Sequence, residues 1–405
     1  MKKIILIVLV AFFANGVHAQ DFITVWDLSK PGSNTNSFTF SIETTGNVNY
    51  TWETIPAGAT GSGIFSGTIA VVPGLLSNSM IRLKINPTHF KRININNNAD
   101  KSRLLNIEQW GGVSWTSMET AFKGCDNLNM SAIDVPNLNL ATNMSSMFNG
   151  CSSLNTPANM NTWNTSNVTN MSSMFYYTTN FNQPIGNWNT INVTDMSNMF
   201  GGALNFNQPI GNWNTSNVTN MYGMFGGASN FNQPIGNWNL TALINNEYML
   251  QLCGMDCSNY SSTLYGWANN TNTPNGLSLG AFVGVLNLIY GSNVSNQRDY
   301  LINTKGWTII GDAMSNTTCY PTNTSSINTN NQITISPNPT SSIFKIECPM
   351  NGANVILYNS FGQKLLTTKI ENKTSLIDIS HFSKGIYIAE IIDDKTSYRV
   401  KIVKD

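Results

Sequence analysis

The chain has 405 residues, 41% of them hydrophobic and only 10% charged, and its 21 basic and 21 acidic side chains cancel to a formal net charge of zero. An ordinary soluble domain carries about 25% charged residues, so this surface is neutral. It offers neither the cationic footprint that nucleic-acid binding needs nor a polybasic membrane patch. Asparagine, with 61 residues, fills the gap left by charge. At about 100 to 200 residues per domain the length predicts several domains and ample core.

At the N-terminus, Lys2 and Lys3 precede an apolar run from Ile4 to Phe13, and Val17-His18-Ala19 supplies a small-x-small cleavage site. Residues 1–19 read as a secretory signal peptide, with Gln20 first in the mature chain. No later run reaches the roughly 20 apolar residues of a membrane-spanning helix, so no transmembrane segment is expected in the mature chain. Cys125, Cys151, Cys253, Cys257, Cys319 and Cys348 all follow the cleavage site, entering a compartment where disulfides persist. Sequence does not choose their pairing.

Residues 20–104 alternate, as in Ser37-Phe38-Thr39-Phe40-Ser41-Ile42 and Met80-Ile81-Arg82-Leu83-Lys84-Ile85, between Gly, Pro and Asn punctuation. Period-two alternation predicts strands. A small β-rich domain or cap over the first open end of a repeat array is expected.

From 105 to 312 the chain repeats. Trp163, Trp188, Trp213 and Trp238 recur every 25 residues, as do Val168, Val193, Val218 and Leu243, and Phe175, Phe200, Phe225 and Leu250. Met118 to Phe122 and Met144 to Phe148 join the array at slightly longer steps. Such a period predicts a repeat solenoid in which each unit buries its apolar face against its neighbours. Val168, Met171, Met174 and Phe175 make one stripe of a short helix. Ile185 to Trp188, too short for a helix and preceded by Pro184, reads as a short strand of a parallel sheet.

These residues resemble the BspA-type leucine-rich-repeat surface proteins. The likeness is carried by Ile107-Glu108-Gln109-Trp110-Gly111 leading to Trp115, Met118, Phe122, Gly124, Cys125 and Leu128, and by the Phe-Asn-Gln-Pro-Ile-Gly-Asn-Trp-Asn blocks at 181, 206 and 231. A closing segment follows in Leu264-Tyr265-Gly266-Trp267-Ala268 and Arg298 to Trp307. The resemblance implies a leucine-rich-repeat-like solenoid of short parallel strands and short helices, used in adhesion or protein binding without an enzymatic role. The family's Asp after the repeat Trp is Asn here, at 164, 189, 214 and 239, so an acidic ladder is missing.

Residues 313–332 read as a Ser/Thr/Asn-rich linker. Beyond it, 333–405 holds several alternating runs, as expected of a small β-sandwich. This tail resembles the type A C-terminal sorting domain of type IX secretion cargo. Ser336-Pro337-Asn338-Pro339, the Tyr358 to Gln363 turn, Gly385-Ile386-Tyr387 and Lys401-Ile402-Val403-Lys404 carry the likeness. It implies export to the surface of a Bacteroidetes-type bacterium, with the secretion machinery as partner.

Chemistry is sparse. From Gly124 to Gln297 there is no Lys, Arg or His, and the acids are Asp126, Asp134, Asp195, Glu247 and Asp256, with solvated or capping roles expected. Gly276-Leu277-Ser278-Leu279-Gly280 matches a nucleophile elbow, but the His that would follow Ser278 is only His381, inside the tail. A strand edge is the simpler reading. Cys253 and Cys257 lack a second pair for zinc and read as a local disulfide or two buried thiols. Cys125 and Cys151 occupy one repeat position and fit buried stacking or a bridge. No cofactor, metal or catalytic residue is expected.

Two rows are open to a binding reading. The indoles of Trp188, Trp213 and Trp238 are packing elements or a stacking surface. The amides of Gln183, Gln208 and Gln233 and of Asn187, Asn212 and Asn237 form hydrogen-bonded ladders or a neutral binding face. The expected function is a secreted or surface-exposed, non-enzymatic adhesion protein for a protein or glycan of a host or neighbouring cell. A structural surface-layer or matrix protein is the alternative, and a secreted carbohydrate-active enzyme comes behind it.

Overall fold

The computed structural model describes residues 20–155, 158–279, 288–319, 334–336, 340–348, 352–359, 364–392 and 397–404. The signal peptide, most of the linker, Gly280 of the elbow match, Pro337 to Pro339 and the Ser360 to Gln363 turn lie outside these residues. The chain divides into two compact units, with the boundary after Tyr320.

The first unit opens with strands β1 (Phe22–Asp27), β2 (Phe38–Thr44), β3 (Val48–Ile55), β4 (Thr60–Phe65), β5 (Ile69–Val72), β6 (Met80–Ile85), β7 (Phe90–Asn94), β8 (Leu104–Gln109) and β9 (Asn129–Met130). One sheet runs β4-β3-β6-β1-β8-β9 and a second runs β5-β2-β7. All pairs are antiparallel except β8 with β9. Alternation sets the faces: Phe38, Phe40 and Ile42 are buried, as are Ile81, Leu83 and Ile85. On the outer face Arg82 bridges Glu53 and Glu108 at 3.0 and 2.6 Å. Asp100 and Arg103 form a buried pair at 3.0 Å. Arg103 also donates to the carbonyls of Lys30, Asn34 and Ser37, which ties down the loop before β2.

The expected solenoid of short parallel strands and short helices is overturned. The strands of the described residues fall into small sheets that are mainly antiparallel. The two α-helices of the described residues, α1 (Cys257–Asn269) and α2 (Ser295–Asp299), both follow the 25-residue repeats. Among the described residues, parallel pairing is confined to β8 with β9, β10 (Ile289–Gly291) with β11 (Ala313–Ser315), and isolated bridges such as Asn170 to Asp195 to Asn220 to Asn245.

Backbone conformation explains why the helical stripe is not helical. Ser173 and Tyr177 stand at φ 55° and 54°, in the left-handed region that interrupts a right-handed helix. Their neighbours close four-residue turns, with Met174 N–H on the Met171 carbonyl at 3.3 Å and Tyr176 N–H on that of Ser173 at 3.1 Å. The alternate N–H groups, of Met171, Ser173, Phe175 and Tyr177, point to the next repeat. They reach the carbonyls of Asp195, Ser197, Met199 and Gly201 at 2.9, 2.7, 2.9 and 2.8 Å. The Ile185 to Trp188 segment, expected as a strand, also closes as a turn, with Trp188 N–H on the Ile185 carbonyl at 3.1 Å.

Side chains stack in columns over this frame. Phe122, Phe148, Phe175, Phe200 and Phe225 follow one another at ring separations of 5.6, 5.8, 5.7 and 5.8 Å. Buried apolar residues from Phe22 to Ile309 make one continuous core. Helix α1 closes the array: Trp267 donates its indole N–H to the Ile235 carbonyl at 3.2 Å, extending the Trp column. Cys257 at its start is bonded to Cys319, correcting the local Cys253–Cys257 pairing. Residues 313–319, read as the start of the linker, are therefore fastened to the first unit through β11 and this bond. Cys125 and Cys151 are buried free thiols, and Cys151 Sγ donates to the Phe122 carbonyl at 3.1 Å.

The second unit has its own core, including Phe344, Ile346, Val355, Leu357 and Ile391. Strands β12 (Thr334–Ser336), β13 (Ile343–Glu347) and β16 (Thr374–Asp378) form one antiparallel sheet. Strands β14 (Asn354–Asn359), β15 (Lys364–Lys369), β17 (Gly385–Ile392) and β18 (Ser397–Lys404) form another. The Gly385-Ile386-Tyr387 and Lys401 to Lys404 segments pair with each other, Tyr387 opposite Ile402.

Candidate binding surfaces of the repeat

The Trp column lies inside. Trp188, Trp213 and Trp238 are buried, and their indole N–H groups donate to the carbonyls of Met160, Ile185 and Ile210 at 2.7, 3.2 and 3.1 Å. Trp188 and Trp213 lie 6.4 Å apart with planes 2° from parallel. The indoles pack between repeats and offer no ring face to a ligand.

The Gln row is a ladder. Gln208 Nε2 donates to Asn182 O and Oδ1 at 2.8 and 2.9 Å, and Gln233 Nε2 donates to Asn207 O and Oδ1 at 3.1 and 2.9 Å. Gln183 bonds Asn155 in the same way. Asn259 on α1 takes over the role at the end, donating to Asn232 O and Oδ1 at 3.0 and 2.8 Å. Asn187, Asn212 and Asn237 remain an exposed row. The Asn residues that replace the resembled family's Asp accept the N–H two residues on, as Asn189 does from Ile191 at 3.1 Å and Asn214 from Ser216 at 3.0 Å. A neutral side chain thus makes the turn.

Three of the five acids cap backbone N–H groups. Asp134 accepts the N–H groups of Trp110 and Gly111 at 3.0 and 2.8 Å, Asp195 that of Ser197 at 2.8 Å, and Asp256 caps α1 through Asn259 N–H at 2.8 Å. Ser278 bridges Thr308 as a strand edge. Among the described residues no three His, Cys, Asp or Glu side chains converge on a metal-sized site.

A cleft of about 610 Å³ opens elsewhere on the repeat, lined by Tyr176, Tyr177, Tyr222 and Tyr248, with Leu204, Leu252, Asn198 and Gln251 among its neighbours. Sequence reading by identical columns does not find it, because it lies where the columns change. The position of Tyr177 is Gly in the next two repeats, at 202 and 227, then Leu252; that of Tyr222 is Ser at 172 and 197. Glycine makes room for the rings: a Cβ on Gly202 would stand 2.5 Å from Tyr177 Cδ1 and one on Gly201 2.8 Å from Tyr176 Cδ2. Tyr176 and Tyr177 meet at 4.3 Å and Tyr222 and Tyr248 at 5.3 Å, both edge-on. Hydrogen bonding with Tyr177, then burial, raise the Tyr176 phenol above its ordinary value, so it is uncharged at neutral pH.

A family described as a Mycoplasma protein of unknown function, DUF285, matches residues 93–184 and again 157–267. The secretion system C-terminal sorting domain matches residues 334–405. No curated protein matches the chain. The C-terminal unit is thus a type IX sorting domain, and the protein is secreted or displayed on the cell surface. Among the described residues no helix is long and apolar enough to cross a membrane.

Proposed function

We propose that the protein is a non-enzymatic binding protein of the adhesin kind that the BspA-type resemblance implies, exported through its sorting domain and presenting the repeat to a protein or glycan outside the cell. The observation that carries this reading is the tyrosine cleft. It concentrates exposed aromatic groups, such as Tyr177 at 56% exposure, on a repeat whose Trp column is committed to packing and whose Gln row is committed to an amide ladder. Aromatic side chains with a polar end favour surfaces that bind. The capping roles of Asp134, Asp195 and Asp256 favour binding over acid-base work, which needs free titratable groups. A screen of the purified protein against glycans and host-surface proteins tests it. Saturable binding to a member of either class is expected. Ordered self-association with no saturable ligand would point to a surface-layer or matrix role instead.

A further inference from the structure

The cleft also carries information about ligand chemistry. None of its lining side chains is an acid or a base, and no basic residue occurs between Gly124 and Gln297. An ionic ligand would find no counter-charge there. Its glycine floor has no backbone donors to spare: Gly202 N–H bonds the Gly226 carbonyl at 2.8 Å, Gly223 N–H that of Glu247 at 2.8 Å, and Gly227 N–H that of Gln251 at 2.7 Å. An extended peptide that adds as a strand depends on such main-chain groups. Recognition therefore falls to aromatic faces, phenol hydroxyls and the amides of Asn198 and Gln251. The matching ligand has apolar C–H faces and a rim of hydroxyl groups.

The column of Gly124, Gly150, Tyr177, Gly202, Gly227 and Leu252 is left-handed throughout, with φ of 82°, 75°, 54°, 68°, 74° and 55°. Glycine adopts this conformation freely, so the backbone at Tyr177 accepts the glycine that the next two repeats carry.

We propose that this cleft binds a neutral oligosaccharide, its tyrosine rings stacking on hexopyranose faces and its phenols and amides hydrogen-bonding the sugar hydroxyls. The proposal rests on the binding-protein reading and adds to it the site and the ligand class. The cleft's volume lies within the range of about 300–1,000 Å³ that small-ligand sites occupy.

The test is calorimetric titration of the purified protein with short neutral oligosaccharides of the gluco, manno, xylo and galacto series, with sialylated and uronic-acid glycans as charged controls. Tyr177→Gly and Tyr222→Ser install residues that neighbouring repeats already carry, and Asn212→Ala probes the exposed Asn row. Saturable binding of at least one neutral series is expected. It should weaken at least about tenfold in both tyrosine variants, stay unchanged in Asn212→Ala, and leave the unfolding midpoint of the tyrosine variants at or above that of the parent. Failure of every neutral series, preference for the charged controls, or full binding by both tyrosine variants would overturn the proposal. If a host protein binds while no neutral glycan does, the proposal fails and the binding-protein reading stands. If neither class binds, both fail.

Discussion

Trp213 sits between Trp188 and the next repeat with its indole N–H on the Ile185 carbonyl, so its ring and its donor both hold neighbouring repeats together. Trp213→Ala should destabilise the first unit by about 3–5 kcal/mol through the cavity it leaves. Trp213→Phe, which keeps a ring and leaves the Ile185 carbonyl with the Trp188 N–H as its partner, should lose less, about 0.5–1.5 kcal/mol for the net hydrogen bond. Urea unfolding followed by circular dichroism checks both: equal effects would contradict the cavity share, and an unchanged Trp213→Phe would contradict the hydrogen-bond share. Cysteine chemistry gives a second test. Burial pushes the Cys253 thiol up to about 11 from an ordinary value of 9.0, and it pushes Cys125 and Cys151 well upward too. These thiols stay protonated at neutral pH and should react slowly with a disulfide reagent until the protein unfolds. The unfolded chain loses its thiol protons first as pH rises. The stability these groups contribute is therefore complete below about pH 9 and is lost as pH rises through about 11 in the case of Cys253. Thermal melts across that interval should show a falling midpoint.

The element that ends the repeat is α1, and it does so by imitation: Trp267 continues the Trp column and Asn259 the Gln ladder from a helical backbone. Close approach makes this possible, since a Cβ on Gly266 would lie 2.3 Å from the Gly236 carbonyl oxygen. Gly266→Ala should cost about 1–3 kcal/mol by overpacking, whereas Ala268→Gly nearby should cost no more than about 1 kcal/mol of helix propensity. Comparing their denaturation midpoints checks the contact. The bond from Cys257 spans 62 residues to Cys319, and Cys319→Ser should lower stability by about 2–4 kcal/mol. The columns that α1 terminates were legible in the sequence, because Trp, Val, Met and Phe recur in strict register and stacking demands nothing else. Their backbone was not. Val168, Met171, Met174 and Phe175 have the spacing of a helical stripe, and a hydrophobic pattern carries no mark of the left-handed Ser173 and Tyr177 that divert alternate N–H groups to the next repeat. The cleft escaped for the opposite reason: a search for identity passes over the Tyr-for-Gly and Tyr-for-Ser exchanges that build it.

At the scale of the molecule, two separate cores divide the work. The second unit is a sorting domain, and its removal should leave the melting of the first unit unchanged while the truncated protein fails to reach the surface. Fractionation of the host expressing the chain without residues 334–405 checks this, and normal display would show that the export signal lies elsewhere. On the proposed function the first unit bears the binding, and its repeat lacks the basic residues that long-range attraction to an anionic partner requires. Contacts made through aromatic rings, amides and hydroxyls are barely screened by salt, whereas exposed ionic contacts weaken steeply. The most direct test of a neutral binding repeat is therefore the affinity of the purified protein for its ligand, titrated from about 0.05 to about 0.5 M salt, a range over which the screening length shrinks several-fold. A nearly constant dissociation constant is the predicted result, and a steep loss of affinity across the series would contradict it.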